Sequence, residues 1–376
     1  MEAIIDSKVK SITLVSNNYW TLYKFRYDVV QMFVKKGYEV ILIAGKDSFH
    51  SNFNNKHIKK IFLPIDERGL NPLSEIKTMV SLYRIYKNIK TDLIIHFTIK
   101  PNIYGSIICK LLDINSISFI TGVGHIFLKK KSFFKDFISR LYQYALSKNK
   151  EVWFTNESDK ELFIKNKIIN KNMKVKIVPG AGVIFKEHSE IFKRDQDTNF
   201  LMVSRVLKDK GVKEFLKVAE MYNNNKSITF MLIGVLNDND RGAISREYLE
   251  NYIENKTITY LEYQEDIMKY LKETSCLIHP SYREGISTVL LEAASIKLPI
   301  ITTTVPGCID VVPDNSHGLL CKPRNVDSLK RAVERFLSLG KDEKKAMTNK
   351  TFEHVKKYFS REVVLKNYEE LYDYID

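Results

Sequence analysis

At 376 residues, with 44% hydrophobic and 28% charged side chains, the chain is long enough for two cores and too apolar to be disordered. Its net charge of +14 suits an anionic partner, whether nucleic acid, an acidic membrane surface or a phosphorylated substrate. Cys109, Cys276, Cys308 and Cys321 are scattered with no CxxC pair, which argues against a zinc site and a disulfide framework.

The opening residues MEAIIDSKVKS hold no apolar stretch of signal-peptide length, and no uncharged run of about 18 apolar residues could span a bilayer. The expectation is a cytoplasmic protein that at most rests on a membrane. In chain order, SITLVS (11–16) is the first apolar strand. YDVVQMFVKKG (27–37) follows as an amphipathic helix ending at Gly37. EVILIAG and KKIFLPI are the next two strands, and SEIKTMVSLYRIYKNIK (74–90) carries a helical apolar stripe through Ile76, Met79, Val80, Leu82, Tyr83 and Tyr86. DLIIHFT, SISFITG, EVWFTN and VKIVPG continue the strand series, with helical segments between most of them.

After Pro179 the chain turns polar through KEHSEIFKRDQDTN, a candidate linker, and then the rhythm restarts. NFLMVSRV, ITFMLIGV, ITYLEY, CLIHP and PIITTTV read as strands with helices between them. Strands apolar at nearly every position, alternating with helices, predict parallel sheets covered on both faces. The α/β expectation is two Rossmann-like doubly wound domains facing a cleft. Their bounds are 1–190 and 191–359, and YFSREVVLKNYEELYDYI reads as a final amphipathic helix near 360–376. Ligands in such sheets bind beyond the carboxyl ends of the strands.

Chemistry concentrates at two such ends. SRVLKDKG (204–211) sets Arg205 and Lys210 between a strand and a helix, where they could hold a diphosphate or simply face solvent. PSYREGISTVLLEA (280–293) sets Glu284 in a loop and Glu292 in an apolar helix capped by Ser287 or Thr288. Glu292 is either a semi-exposed carboxylate or a buried one whose partner is a diol. Asp238–Asn239–Asp240 reads as a turn rather than a metal motif, and no GxGxxG follows the first strand.

Arg-x4-Lys in SRVLKDKG and Glu-x7-Glu in PSYREGISTVLLEA, followed by PIITTTVPGCIDVV and GLLCKP, resemble glycosyltransferase family 4. Upstream, SNNYWTLYKFR, DERGLNPLSEIKTMVSLYRIYKNIK, FTIKPNIYG and TGVGHIF look like its bacterial surface-polysaccharide subgroup. The resemblance implies a GT-B fold, in which the final helix (about 360–376) packs back on the first domain, and a retaining transferase. It would move a hexose or N-acetylhexosamine from a UDP-sugar to a polyprenyl-diphosphate-linked glycan, as in O-antigen or capsule synthesis.

Carried over, Arg205 and Lys210 would neutralise the donor diphosphate and Glu292 would hold the ribose. Glu284 would contact the sugar, with the Gly285, Ile286, Ser287 and Thr288 backbone beside it. The leaving phosphate takes the acceptor's proton, so no protein nucleophile is required; with no DxD motif at a strand end, no cofactor or metal is expected. His125 in TGVGHIF is the candidate for a histidine on the donor sugar; a structural role is the other reading. Lys100 and Asn17 are the acceptor-side candidates, whereas His96 reads as packing and His279 as near the donor loop. LKKKSFFKDFISRLYQYALSKNK (128–150), basic with Phe133, Phe134, Phe137, Ile138 and Leu141 on one face, is either a core helix or an anionic-membrane helix. The expected placement is peripheral, on the cytoplasmic face of the membrane. The alternatives are a UDP-sugar 2-epimerase, which would need an acid/base pair at C2, and a nucleic-acid-binding protein, which the spread of cations along the chain opposes.

Overall fold

The computed structural model describes residues 10–123 apart from 68 and 70, then 133–185, then 198–375 apart from 239 and 241. The chain forms two compact units, Met1–Ala181 with Val364–Asp376, and Gly182–Val363.

The first unit is built on β1 (Ser11–Asn18), β2 (Glu39–Gly45), β3 (Ile58–Phe62), β4 (Leu93–Phe97), β5 (Ser116–Ile120), β6 (Glu151–Phe154) and β7 (Val175–Ile177). They pair in the order β3-β2-β1-β4-β5-β6-β7, parallel throughout. Alternate residues go to opposite faces. Ile12, Leu14, Ile95, Phe97 and Phe119 meet one core, while Val15, Ile41, Ile43 and Ile94 meet another. Burial on both faces explains why these strands read as continuous apolar runs.

The first helix, Tyr19–Lys35, starts eight residues before the expected one because the Asn18 side chain accepts from Thr21 N and caps it. Its Arg26 is buried with the guanidinium over the Phe97 and Phe119 rings, at 4.7 and 4.8 Å.

In the second unit, β8 (Thr198–Val203), β9 (Ile228–Ile233), β10 (Thr259–Leu261), β11 (Cys276–His279), β12 (Ile300–Thr303) and β13 (Leu319–Cys321) pair in the order β10-β9-β8-β11-β12-β13, again parallel. The three-residue β13 was not among the expected strands; GLLCKP is too short to show a period.

The divide falls at 181/182 rather than 190/191. Val183 donates its N–H to Phe359 O, accepts from Arg361 N and packs in the second unit's core, so the chain has already joined that unit there. The tail belongs to the first unit: Val364, Tyr368 and Leu371 are buried in its core, with the Tyr368 ring 5.0 Å from that of Trp153. Lys176 adds an ion pair to Glu370 at 2.6 Å and a bond to Asn367 O at 3.1 Å. The single final helix of the sequence reading is two short ones, Arg361–Glu369 and Tyr372–Ile375, after a longer Lys341–Phe359. Among the described residues no helix is long and apolar enough to cross a membrane.

Candidate active site

In the second sheet the strand order reverses between β8 and β11, so the loops leaving these strands diverge and leave room at their carboxyl ends. Two glycines let the neighbouring loops close on each other. Gly211 has φ +77°, and a Cβ there would lie 2.1 Å from Pro280 O; Gly307 has φ +81°, and its Cβ would lie 2.6 Å from Glu284 Cβ. Backbone bonds tie the same loops, Tyr282 N to Asp209 O at 2.8 Å and Glu284 N to Pro306 O at 3.2 Å. Gly211→Ala therefore combines a left-handed backbone with a collision against main chain. It should cost about 2 kcal/mol or more, read as a lowered midpoint in urea unfolding.

Lys210, carried by the turn that ends at Gly211, is held against Glu284. Its ammonium lies 2.6 Å from Glu284 Oε1, and the two side chains are 16% and 13% exposed. His279, the last residue of β11, places Nε2 3.1 Å from the same oxygen. Its Nδ1 is buried without a partner among the described residues. The geometry fits Nε2 as the ring N–H that donates to Glu284. Glu284 thus receives two donors on Oε1 and has no partner on Oε2 among the described residues. Burial alone would push its pKa up; the Lys210 ammonium and the His279 bond outweigh that and hold it well below the usual carboxylate range. The result is an ionised, oriented carboxylate in a nearly dry setting.

The other expected site residues are distributed less uniformly. Arg205 does not join this group: its side chain is half exposed, with Asp240 at 3.9 Å. Asp238 lies in a turn, and Asp240 donates its N–H to Asn237 O at 2.9 Å. Glu292 lies on helix Thr288–Ser295, whose Val289, Leu290, Leu291, Ala293 and Ala294 are buried. Glu292 itself is only half buried, so the helix keeps one polar edge, and of the two readings the semi-exposed carboxylate is the one found. Ser287 occupies the N-cap position but makes no side-chain cap bond. The first-turn N–H groups from Thr288 onward therefore have no intrahelical acceptor, and Gly285 and Ile286 lead into them.

On the first unit, Asn17 sits where that sheet's order reverses, between β1 and β4, and its Oδ1 accepts from Thr98 Oγ1 at 2.9 Å. Lys100 overturns its expected acceptor role. Its ammonium is buried and bonded to Asp66 O, Gly69 O (2.8 Å) and Glu75 Oε1 (2.5 Å), so its three donors are taken by groups of its own unit. His96 is structural: it is buried, bonded to Tyr86 OH at 2.9 Å, and burial pushes its pKa down to about 3. His125 lies outside the described residues. Of the 128–150 segment the structure describes helix Phe133–Leu146, in which Ile138 and Leu141 pack inward while Phe137 and Tyr144 are exposed. The expected shared face is therefore split.

The sequence reading noted His279 but did not assign it a role. The available signal was its place at a strand's carboxyl end five residues before Glu284; a lone histidine in an apolar run gives nothing more.

Residues 11–156 match the family described as glycosyl transferase 4-like, and residues 183–353 match glycosyl transferases group 1. Over 371 residues the chain is 25% identical to an N,N'-diacetylbacillosaminyl-diphospho-undecaprenol alpha-1,3-N-acetylgalactosaminyltransferase from Campylobacter jejuni, covering 94% of this chain and 96% of the relative. It is 24% identical over 313 residues to an Escherichia coli UDP-Gal:alpha-D-GlcNAc-diphosphoundecaprenol alpha-1,3-galactosyltransferase, covering 79% of this chain and 80% of the relative. Among solved structures, a sucrose-phosphate synthase from Thermosynechococcus elongatus superposes with TM-score 0.79 at 17% identity, over 97% of this chain and 98% of the other. Anabaena HepE in complex with UDP and glucose gives 0.76 at 13%, over 97% and 99%. The fold of both units is that of the GT-B enzymes.

Proposed function

The chain belongs to the glycosyltransferases, its first domain 4-like and its second of group 1, and on that premise we propose that it moves a hexose or N-acetylhexosamine from a UDP-sugar to a glycan on a polyprenyl diphosphate, with retention at the anomeric carbon. The relatives that act on diphospho-undecaprenol substrates support the acceptor class, and the UDP complex of HepE supports the donor. The observation that carries the reading is the largely buried Glu284 carboxylate with Lys210 and His279 on one oxygen at the carboxyl edge of the sheet.

Bond breaking leaves negative charge on the departing diphosphate. Lys210 and the first-turn N–H groups from Thr288 onward are the preorganised positive groups that would stabilise it, and the more exposed Arg205 would add its charge on reaching the diphosphate. That set supports a transfer that runs without a metal ion. Without donor, Glu284 is the counter-ion of Lys210; with donor, the ammonium is shared with the diphosphate while His279 keeps Glu284 in place. Oε2 is then the oxygen offered to the sugar, and Glu292 the one offered to the ribose. Asn17 remains the acceptor-side candidate. Work on a lipid-borne glycan supports a peripheral position on the cytoplasmic face of an anionic membrane.

A panel of UDP-sugars offered with membrane-extracted lipid-linked acceptor, read by mass spectrometry, tests the reaction, and the anomer formed is read by NMR. No transfer with any donor, together with no UDP binding by calorimetry, would overturn it.

His279→Leu removes a bond to a charged group, worth about 1.5–3 kcal/mol, and should lower kcat about 10- to 100-fold with little change in donor KM. Glu284 then loses a donor, its pKa rises, and the acid limb of the pH–rate profile should move to higher pH. His279→Gln, which restores an N–H at that reach, should return both towards wild type.

A further inference from the structure

Helix Pro72–Asn88 presents two faces of different character. Thr78, Leu82 and Tyr86 are buried beneath it. On the outside, Leu73 (76% exposed), Ile76 (58%), Val80 (42%) and Tyr83 (37%) recur at spacings of three and four, which aligns them in one stripe. Lys77, Arg84 and Lys87 are exposed on the same helix, and its one acid, Glu75, is drawn inward onto Lys100. Helix Ser106–Leu112 packs beside it and against helix Phe133–Leu146. Those neighbours add Leu111, Phe137 and Tyr144, each at least half exposed, with the Lys110 ammonium 3.7 Å from the Tyr144 ring centroid.

We propose that the Leu73–Ile76–Val80–Tyr83 stripe and its flanking cations are the surface by which the enzyme docks on an anionic phospholipid bilayer. An apolar stripe of this extent is left in water only at a cost unless something covers it. A second copy meeting it face to face would set Lys77, Arg84 and Lys87 against the same three cations. Anionic headgroups would neutralise those cations while the acyl boundary takes up the apolar side chains. This moves the main membrane contact from segment 128–150 to a helix that the sequence showed only as amphipathic. The inference rests on the proposed lipid-linked acceptor, since it names the surface on which that acceptor is met.

The test is flotation with vesicles of phosphatidylglycerol and phosphatidylcholine in equal parts against phosphatidylcholine alone. The wild type should float with the first and not the second, and less as salt rises. Ile76→Glu with Val80→Glu, both at exposed positions, should weaken binding at least about tenfold. Thermal midpoint and transfer to a water-soluble acceptor glycan should stay unchanged. Flotation of the double variant at wild-type level overturns the proposal. So does a wild type that ignores anionic vesicles, or one that forms a dimer which the double variant converts to monomer. Intact anionic flotation with no transfer to any acceptor would instead overturn the proposed reaction and leave the docking surface standing.

Discussion

Glu284→Gln should reduce transfer by about 10²–10³-fold, the scale seen when one preorganised group at a reacting centre is lost, while the second domain still folds. The amide matches the carboxylate in shape, and its carbonyl can still accept from Lys210, which lies 2.6 Å away in the wild type. What disappears is the negative charge that Lys210 and His279 orient. Because the same change releases the Lys210 ammonium from its counter-ion, UDP should bind at least as tightly as to wild type. The loss should therefore appear in kcat and not in affinity. Initial rates and UDP calorimetry on one preparation separate the two, and turnover near wild type would remove Glu284 from the site.

Lys210→Met should act on stability as well as on the donor. With the ammonium gone, Glu284 keeps only His279 on a side chain 13% exposed. Breaking a largely buried pair by removing one member costs about 3–5 kcal/mol, visible as a lower urea midpoint. UDP should bind more weakly by the worth of one charge-assisted contact, about 1.5–3 kcal/mol. Lys210→Met with Glu284→Gln should recover much of the stability and none of the activity, a coupling that a double-mutant cycle measures.

The pH dependence should change sign between the two proteins. In the wild type Glu284 has a depressed pKa, so its contribution to stability is present above the unfolded carboxylate pKa of about 4.3 and is lost as pH falls through the lower folded value. In Lys210→Met burial dominates and raises the pKa, so protonation relieves the strain, and the deficit against wild type should shrink between neutral and mildly acidic pH. Parallel stability curves over that range would show that Lys210 is not what holds Glu284 ionised.

Much of the fold was legible because its signals are carried within single segments. SITLVS, EVILIAG, DLIIHFT, SISFITG and EVWFTN are apolar along their length because strands in a doubly covered sheet are buried on both sides. Asn18 was harder to see as a helix start, since a cap is recognised by which N–H it accepts. The divide at 181/182 was invisible in the polar run after Pro179, because it is set by Val183 pairing with Phe359 and Arg361, far along the chain. Lys100 misled for the same kind of reason. A lysine before Pro101 at a strand end has the look of a ligand cation, and only its bonds to Asp66, Gly69 and Glu75, 25 to 34 positions away, show that its donors are already taken.

By itself the sequence determined the two α/β units, the carboxyl-end loops that carry Lys210 and Glu284, and, through spaced motifs, their family. Tertiary structure decided which atoms meet. That Lys210 and His279 share one oxygen of Glu284, with the other left open, depends on bringing Lys210 to a residue 74 positions away and holding it there. Gly211 and Gly307 permit that approach. In the stretch PSYREGISTVLLEA the first acid lies before the helix, as expected, and of the two readings of the second the half-buried one is found. Apolar periodicity reports how a segment is buried, whereas a hydrogen bond between distant side chains is fixed only once packing has set the distance between them.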